Sequence, residues 1–433
     1  MSDPPKRSIP GPVIAVGLIA SVWLGSQIWP LFSGDKEKVE SSLPDASTSG
    51  RTITEMQTEI VVSDASYQPE GGSWSTYHGG PALTGVVDTN LPDEPELLWR
   101  FQADASVYYA PVSTDDGIFF NTSKGGVFAL DFSGNELWSD HYFQEPYHDG
   151  RPRVERFDAP ISAFESTVLM GAMRGLVYAL DAATGEQKWI YDIGGPVLGT
   201  ANFHDPTDAP GDERIFIIEQ GEGVLHSIAL ATGEGVWKTP GVERCDGSPS
   251  IKGNAIIYGS CAAALHVFSA KDGSLVKDIL FDEDSQVAGG AAIVGDSAYV
   301  GTHSGRLFHA SLNAGEVIWV NEDSLDEIFE TPAVNRDYVV FSSYDGSVYA
   351  LNRDTGKLIW SFETDGTPTS PVIAGDKVVI TTDGILVLLR LATGEEIWSI
   401  EISDETSSPA IINGMIVVGS DDGTVSAYGN PIP

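Results

Sequence analysis

Short runs of alternating apolar and polar residues recur along this chain, each broken by a glycine-bearing turn. The clearest unit is residues 175–189, GLVYALDAATGEQKW. A short apolar run ends in Ala-Leu-Asp, a tight turn carries Thr-Gly, and a second run closes on Trp. Successive residues of such a run face opposite sides of a β-strand. Gly185 suits a hairpin turn that needs positive φ. Related units lie at 126–138, 223–237, 305–319, 346–360 and 384–398. A weaker one, 264–277, has Lys277 where the others carry Trp. Self-similarity at this period is the signature of a repeat architecture.

The aligned positions are Trp99, Trp138, Trp189, Trp237, Lys277, Trp319, Trp360 and Trp398, spaced 38 to 51 residues apart. Propeller blades of four strands run roughly 40–50 residues. After Trp398 three strand-like runs follow and the chain ends without a further Trp-bearing strand. Residues 96–101 (ELLWRF) form such a strand with no blade before it. Pairing the two ends closes the ring and removes an exposed edge. The expected fold is therefore all-β: an eight-bladed β-propeller of four-stranded antiparallel blades. The Trp residues are expected to dock one blade on the next, each removing about 150–250 Å² from water.

The pattern A-L-D-x-x-T-G-x-x-x-W, clearest at 179–189 and 350–360, resembles the tryptophan-docking repeat of quinoprotein-type propellers, the pyrroloquinoline-quinone-like repeat family. The resemblance covers residues 74–428. The lead-in Trp74-Ser75-Thr76-Tyr77-His78-Gly79-Gly80 is also similar to the start of many members. The family holds quinone-dependent dehydrogenases. It also holds cofactor-free scaffolds, among them the propeller subunit of the outer-membrane barrel-assembly machinery. The dehydrogenases resemble one another in a disulfide between adjacent cysteines, and many carry C-x-x-C-H. This chain has two cysteines, Cys245 and Cys261, and neither motif.

A net charge of −38 argues against nucleic acid as a partner, because phosphate backbones require clustered Lys and Arg. Near the N-terminus, Lys6 and Arg7 precede an apolar run of about 20 residues, 13–32, the length that spans a bilayer as a helix. The expected organisation is a cytoplasmic stretch at 1–11, a transmembrane signal anchor at 12–33, a flexible acidic linker at 34–70 and the propeller at 71–430. The positive-inside rule then puts the propeller outside the cytoplasm, in the periplasm or an equivalent space. A cleaved signal peptide is the rival reading of the apolar run.

Candidate chemistry collects at one mouth of the ring, where the first strands of the blades begin. These segments carry Tyr108, Tyr109, Asp158, Asp246, Glu330, Thr369 and Ser407. Converging carboxylates and hydroxyls suit a small ligand or a hard cation; the plainer reading is a solvated funnel. An insertion at 141–158 adds His148, Arg151, Arg153 and Arg156, a basic cluster in a chain poor in basic residues. It is the candidate surface for an acidic group or a partner; an ordinary loop whose Arg residues pair with nearby acids is the alternative. Counted outward from Gly253, Cys245 and Cys261 fall opposite each other, so a structural disulfide is expected over two free thiols or a metal site.

Together these features point to a membrane-anchored, extracytoplasmic, monomeric propeller that acts as a protein-binding scaffold, in envelope or outer-membrane protein assembly, with no cofactor. The competing readings are a dehydrogenase of sugars or alcohols that uses pyrroloquinoline quinone and calcium, and a ligand-sensing domain.

Overall fold

The computed structural model describes residues 74–144, 151, 153–206 and 211–430. The expected anchor at 12–33 and linker at 34–70 lie outside these residues. Among those described, no helix is long and apolar enough to cross a membrane.

Eight sheets follow one another as blades. Blade 2 is typical: Ser162–Phe164, Thr167–Gly171, Leu176–Asp181 and Gln187–Asp192 pair in chain order, each antiparallel to the next. Blades 1 to 7 occupy residues 112–141, 162–192, 202–238, 250–280, 292–321, 333–363 and 372–401. Composition explains the layering within a blade. Second and third strands such as Lys377–Thr382 and Ile385–Arg390 are runs of β-branched and aliphatic residues, buried nearly throughout. The fourth strand faces water, so Leu358–Glu363 is exposed at most positions while Trp360 is buried.

The eighth blade closes the ring as expected. Ala410–Ile412, Met415–Gly419 and Thr424–Gly429 are three of its strands, and Glu96–Gln102 is the fourth. Trp99 stands opposite Ala427, just as Trp189 stands opposite Ala179 and Trp360 opposite Ala350. The small partner leaves the indole free to lean outward. A bulge next to this pair recurs in every blade and turns the strand toward the neighbouring one.

Each indole is held by the following blade. The Trp138 N–H donates to the Ala182 carbonyl at 2.8 Å, Trp189 to Leu230 at 2.7 Å, and Trp360 to Leu391 at 2.8 Å. Trp99 and Trp319 make the same bond at 3.1 Å, to Phe132 and Arg353. The ring face lies over the turn glycine of that blade. A Cβ on Gly185, whose φ is +75°, would sit 2.7 Å from the Trp138 ring, so the position excludes any side chain. The same contact recurs at Gly134, Gly233, Gly273, Gly356 and Gly394. Trp237 keeps the stacking on Gly273, but its N–H has no acceptor. Trp398 meets a blade without that turn and packs edge-on against Tyr428, ring centres 6.0 Å apart.

Lys277 takes the Trp role between blades 4 and 5. Its ammonium donates to the Asn313 carbonyl at 2.6 Å and its stem runs over Gly315. The hydrogen bond survives while the aromatic area is lost. Lys277→Trp is expected to raise the melting temperature by about 2 °C, the scale of a 1 kcal/mol gain in a domain of a few hundred residues. An unchanged or lower melting point in a calorimetric scan would show that this seam does not follow the docking rule.

Candidate functional site

The central channel is filled by the chain itself. Residues 74–91 cross it, and Trp74, Thr76, His78, Leu83 and Leu91 are buried there. Carbonyls of this segment accept hydrogen bonds from inner-strand amides, among them Ser113, Ala163, Ile251 and Ile373 at 2.8–2.9 Å. Val86–Val87 adds to blade 7 as a parallel edge strand against Val372–Ala374. The solvated funnel expected from the first strands is therefore corrected: the mouth has a packed floor. The lead-in was legible as a likeness to related chains, but its place was not. It works mainly through backbone carbonyls, which leave no side-chain pattern.

Around the mouth the expected residues form separate small groups. Tyr109 is half-buried beside Asp158, and burial with that carboxylate raises its phenol above the ordinary value. Asp158 forms an ion pair with Arg156. Tyr108 is exposed. Asp246 accepts from Arg244 Nε at 3.0 and 3.1 Å and from Gln220 at 2.6 Å. Thr369 and Ser407 are turned to structural use. The Thr369 hydroxyl meets that of Thr381 at 2.8 Å, and Ser407 Oγ accepts from the Gly419 amide at 3.0 Å. Among the described residues, no three His, Cys, Asp or Glu side chains converge as a metal-ligand set.

Glu330 sits at the junction of mouth and channel. It accepts from the Ser370 hydroxyl, and the Tyr77 hydroxyl from the lead-in meets Thr331 next to it. Burial raises the Glu330 carboxyl above its ordinary value, and the Ser370 bond offsets only part of this. Burial also pushes Tyr77 up to about 12.

The insertion after blade 1 has a defined base. Phe143–Gln144 pairs with Arg153–Val154 as a two-stranded hairpin. Glu155, which the sequence did not single out, is completely buried beneath it. Its carboxylate accepts from Tyr178 Oη at 3.0 Å, Gln144 Nε2 at 2.9 Å and Arg174 Nε. Tyr142, Phe157 and Tyr178 meet edge to face around it, ring centres 5.1–5.9 Å apart. Arg151, Arg153 and Arg156 are exposed on this platform, while His148 lies outside the described residues.

The two cysteines do not pair. Cys245 and Cys261 are separate thiols, and Cys245 Sγ–H donates to the Glu243 carbonyl at 3.3 Å. The turn is the two-residue Gly253-Asn254, so Ser250 faces Ile257 and Lys252 faces Ala255. That register does not reach the cysteines: residues 245–249 lie outside the strand, and the Cys261 amide donates to the Arg244 carbonyl at 2.9 Å. Burial raises both thiols, Cys245 the more deeply buried.

A family model described as outer membrane protein assembly factor BamB matches residues 92–279 and 280–430. The chain belongs to this family. A relative from Burkholderia pseudomallei carrying that name is 29% identical over 331 residues, covering 73% of this chain and 82% of the relative. The namesake from Shewanella oneidensis is 24% identical, covering 69% and 88%. Among solved structures, BamB from Moraxella catarrhalis shares the fold with a TM-score of 0.64 at 21% identity, covering 78% of this chain and 98% of that one. The fold reaches further than the family. Quinohemoprotein alcohol dehydrogenase from Comamonas testosteroni gives a TM-score of 0.67 at 15% identity, covering 88% and 84%. Overall shape therefore does not separate assembly factors from dehydrogenases.

The Glu330 environment has a measurable consequence. An acid raised in the folded state favours folding fully below its unfolded value, near 4.5. That contribution is lost as pH rises through the folded value. Glu330→Gln is therefore expected to melt higher than the parent at pH 8 and equal to it near pH 4. An equal difference at both pH values would mean that ionisation of Glu330 is not the cause.

Proposed function

We propose that this chain is a non-catalytic propeller scaffold in outer-membrane protein assembly, which works by binding other proteins. The observation that carries this reading is the filled channel. The interior of the ring is packed with the chain's own residues 74–91, and the mouth carboxylates are committed to internal partners. A dehydrogenase reading would need those carboxylates and that space for a quinone and its cation. Membership of the assembly-factor family supports the same conclusion.

In this reading the apolar run at 12–33 anchors the chain, the acidic stretch at 34–70 is a tether, and a single propeller works in the periplasm. The insertion hairpin is the contact surface. It presents Arg151 and Arg153, with Arg156 paired to Asp158 beside them, in a chain of net charge −38. Arginine forks recognise carboxylates in two-point geometry, so the partner surface there is acidic.

The reading predicts that the full chain, isolated from its native membrane, co-purifies with outer-membrane assembly proteins. It also predicts no dye reduction after addition of pyrroloquinoline quinone and calcium. Reduction at enzymatic rates would overturn it. Alanine at Arg151, Arg153 and Arg156 together is expected to weaken capture at least tenfold with little change in melting, since exposed ion pairs contribute about 0–1 kcal/mol. Capture that survives the triple change would remove the hairpin from the contact.

A further inference from the structure

A propeller's innermost strands have an inner edge with no sheet partner, so each offers unpaired amides to the channel. In this chain the lead-in supplies the acceptors. The Trp74 carbonyl takes the Ser113 amide at 2.8 Å and Ser75 takes Ala163 at 2.9 Å. Pro81 takes Ile251 at 2.8 Å, Ala82 takes Ile293 at 2.9 Å, and Thr84 takes Val334 at 2.8 Å. Gly85 takes Ile373 at 2.8 Å. In blade 3 the Asn202 side chain stands in, donating to the Pro81 carbonyl at 2.8 Å. The donors occupy equivalent places in successive blades, and one segment of chain meets them in turn.

Side chains fix the segment in one register. The His78 ring lies between two carbonyls, Nδ1 3.0 Å from Leu83 and Nε2 2.9 Å from Pro371 of blade 7. The ring folds over Gly85, where a Cβ would come within 2.2 Å of it. Gly85 also has φ +61°, so both its space and its backbone demand glycine. At the exit, Asp93 is clamped by the buried Lys377 at 2.9 Å and by Arg390 at 3.4 Å. The segment precedes residue 92, where the match to the assembly-factor family begins.

We propose that the central channel is a peptide-binding site and that residues 74–91 are its resident ligand, bound in cis as a strap joining seven blades. The strap satisfies the inner-edge amides and shuts the channel to other peptides. Its chemistry defines what the channel accepts: a segment that turns at 76–79 and again at 80–83, presents carbonyls to successive blades, and carries one Tyr-His pair to set the register. The proposal concerns the channel alone and does not depend on what binds the outer surface.

The test uses the full chain with a protease site inserted after Glu94, an exposed position. After cleavage the N-terminal fragment is expected to stay with the ring through gel filtration, and the melting temperature to stay near that of the uncut chain. In the same cleavable chain, Gly85→Val is expected to release the fragment and lower the melting point. A synthetic peptide of residues 74–92 with the native glycine should restore melting to the ring left by that release. In the uncut Gly85→Val chain, hydrogen exchange at Ser113, Ala163, Ile251, Ile293, Val334 and Ile373 should accelerate at least tenfold. A fragment that separates from the unsubstituted cleaved chain, with melting and those six exchange rates unchanged, would overturn the proposal. A dimer formed by exchange of lead-ins between two copies would overturn binding in cis.

Discussion

Everything in this ring depends on an indole lying flat on a glycine of the next blade. The contact demands two residues at once. The Trp must stand beside a bulge in its own sheet, and the neighbour's turn must lack a Cβ. Two seams depart from this rule: Lys277 replaces the Trp between blades 4 and 5, and Trp398 packs on Tyr428 instead of a turn glycine. The indole N–H then reaches the carbonyl two or three residues before the glycine, so one side chain combines burial of apolar area with a directed hydrogen bond. The bulge beside each Trp follows from the same requirement, because a flat strand would not carry the ring across the gap. Repeated around a circle, a local pairing rule sets the blade-to-blade geometry, and the end-to-end pairing of Glu96–Gln102 with Thr424–Gly429 leaves no blade without its outer strand.

The same circle creates a problem at its centre that the docking contacts do not solve. Inner strands are only two or three residues long, and their inner edges face one another across a space too small for another blade. Buried amides without acceptors are costly. Residues 74–91 answer that cost with main-chain carbonyls. The outer seams are thus built from side chains and the inner ones from backbone, and the two systems tolerate mutation very differently. A change of one Trp touches one boundary only, as at Lys277, which contacts Asn313 and Gly315 of the next blade alone. The central segment depends on its register as a whole, and Gly85 and His78 hold that register.

This division explains what could be read from the chain in advance. The blades were legible because Trp and Gly recur at fixed separation, a pattern that local chemistry enforces. Closure was legible because a Trp-bearing strand stood unmatched near the start and a blade stood incomplete at the end. The channel filling was not, since carbonyls are common to every residue. Glu155 was not, since one buried acid among 62 acidic residues carries no local mark. The cysteine arrangement was not legible either, since strand pairing stops at Ser250 and the chain before it leaves the register counted from Gly253. The mouth residues take their orientation from partners in their own or the adjoining blade, such as Ser370 for Glu330 and Thr381 for Thr369, and a single repeat does not show these pairings.

What remains for recognition is the outer surface, and there the cost of burying Glu155 becomes informative. An ion pair with one fully buried member is weak support for stability, since desolvation consumes most of the attraction. Glu155 nevertheless collects three side-chain donors from two separate parts of the chain. Gln144 belongs to the insertion hairpin, whereas Arg174 and Tyr178 belong to blade 2. The carboxylate therefore couples the hairpin to the rigid ring, and the aromatic trio around it removes the remaining freedom. An apolar residue in its place would pack, but it would not specify one position for the hairpin. What this arrangement holds in one position is the stretch that carries the exposed Arg153 and Arg156.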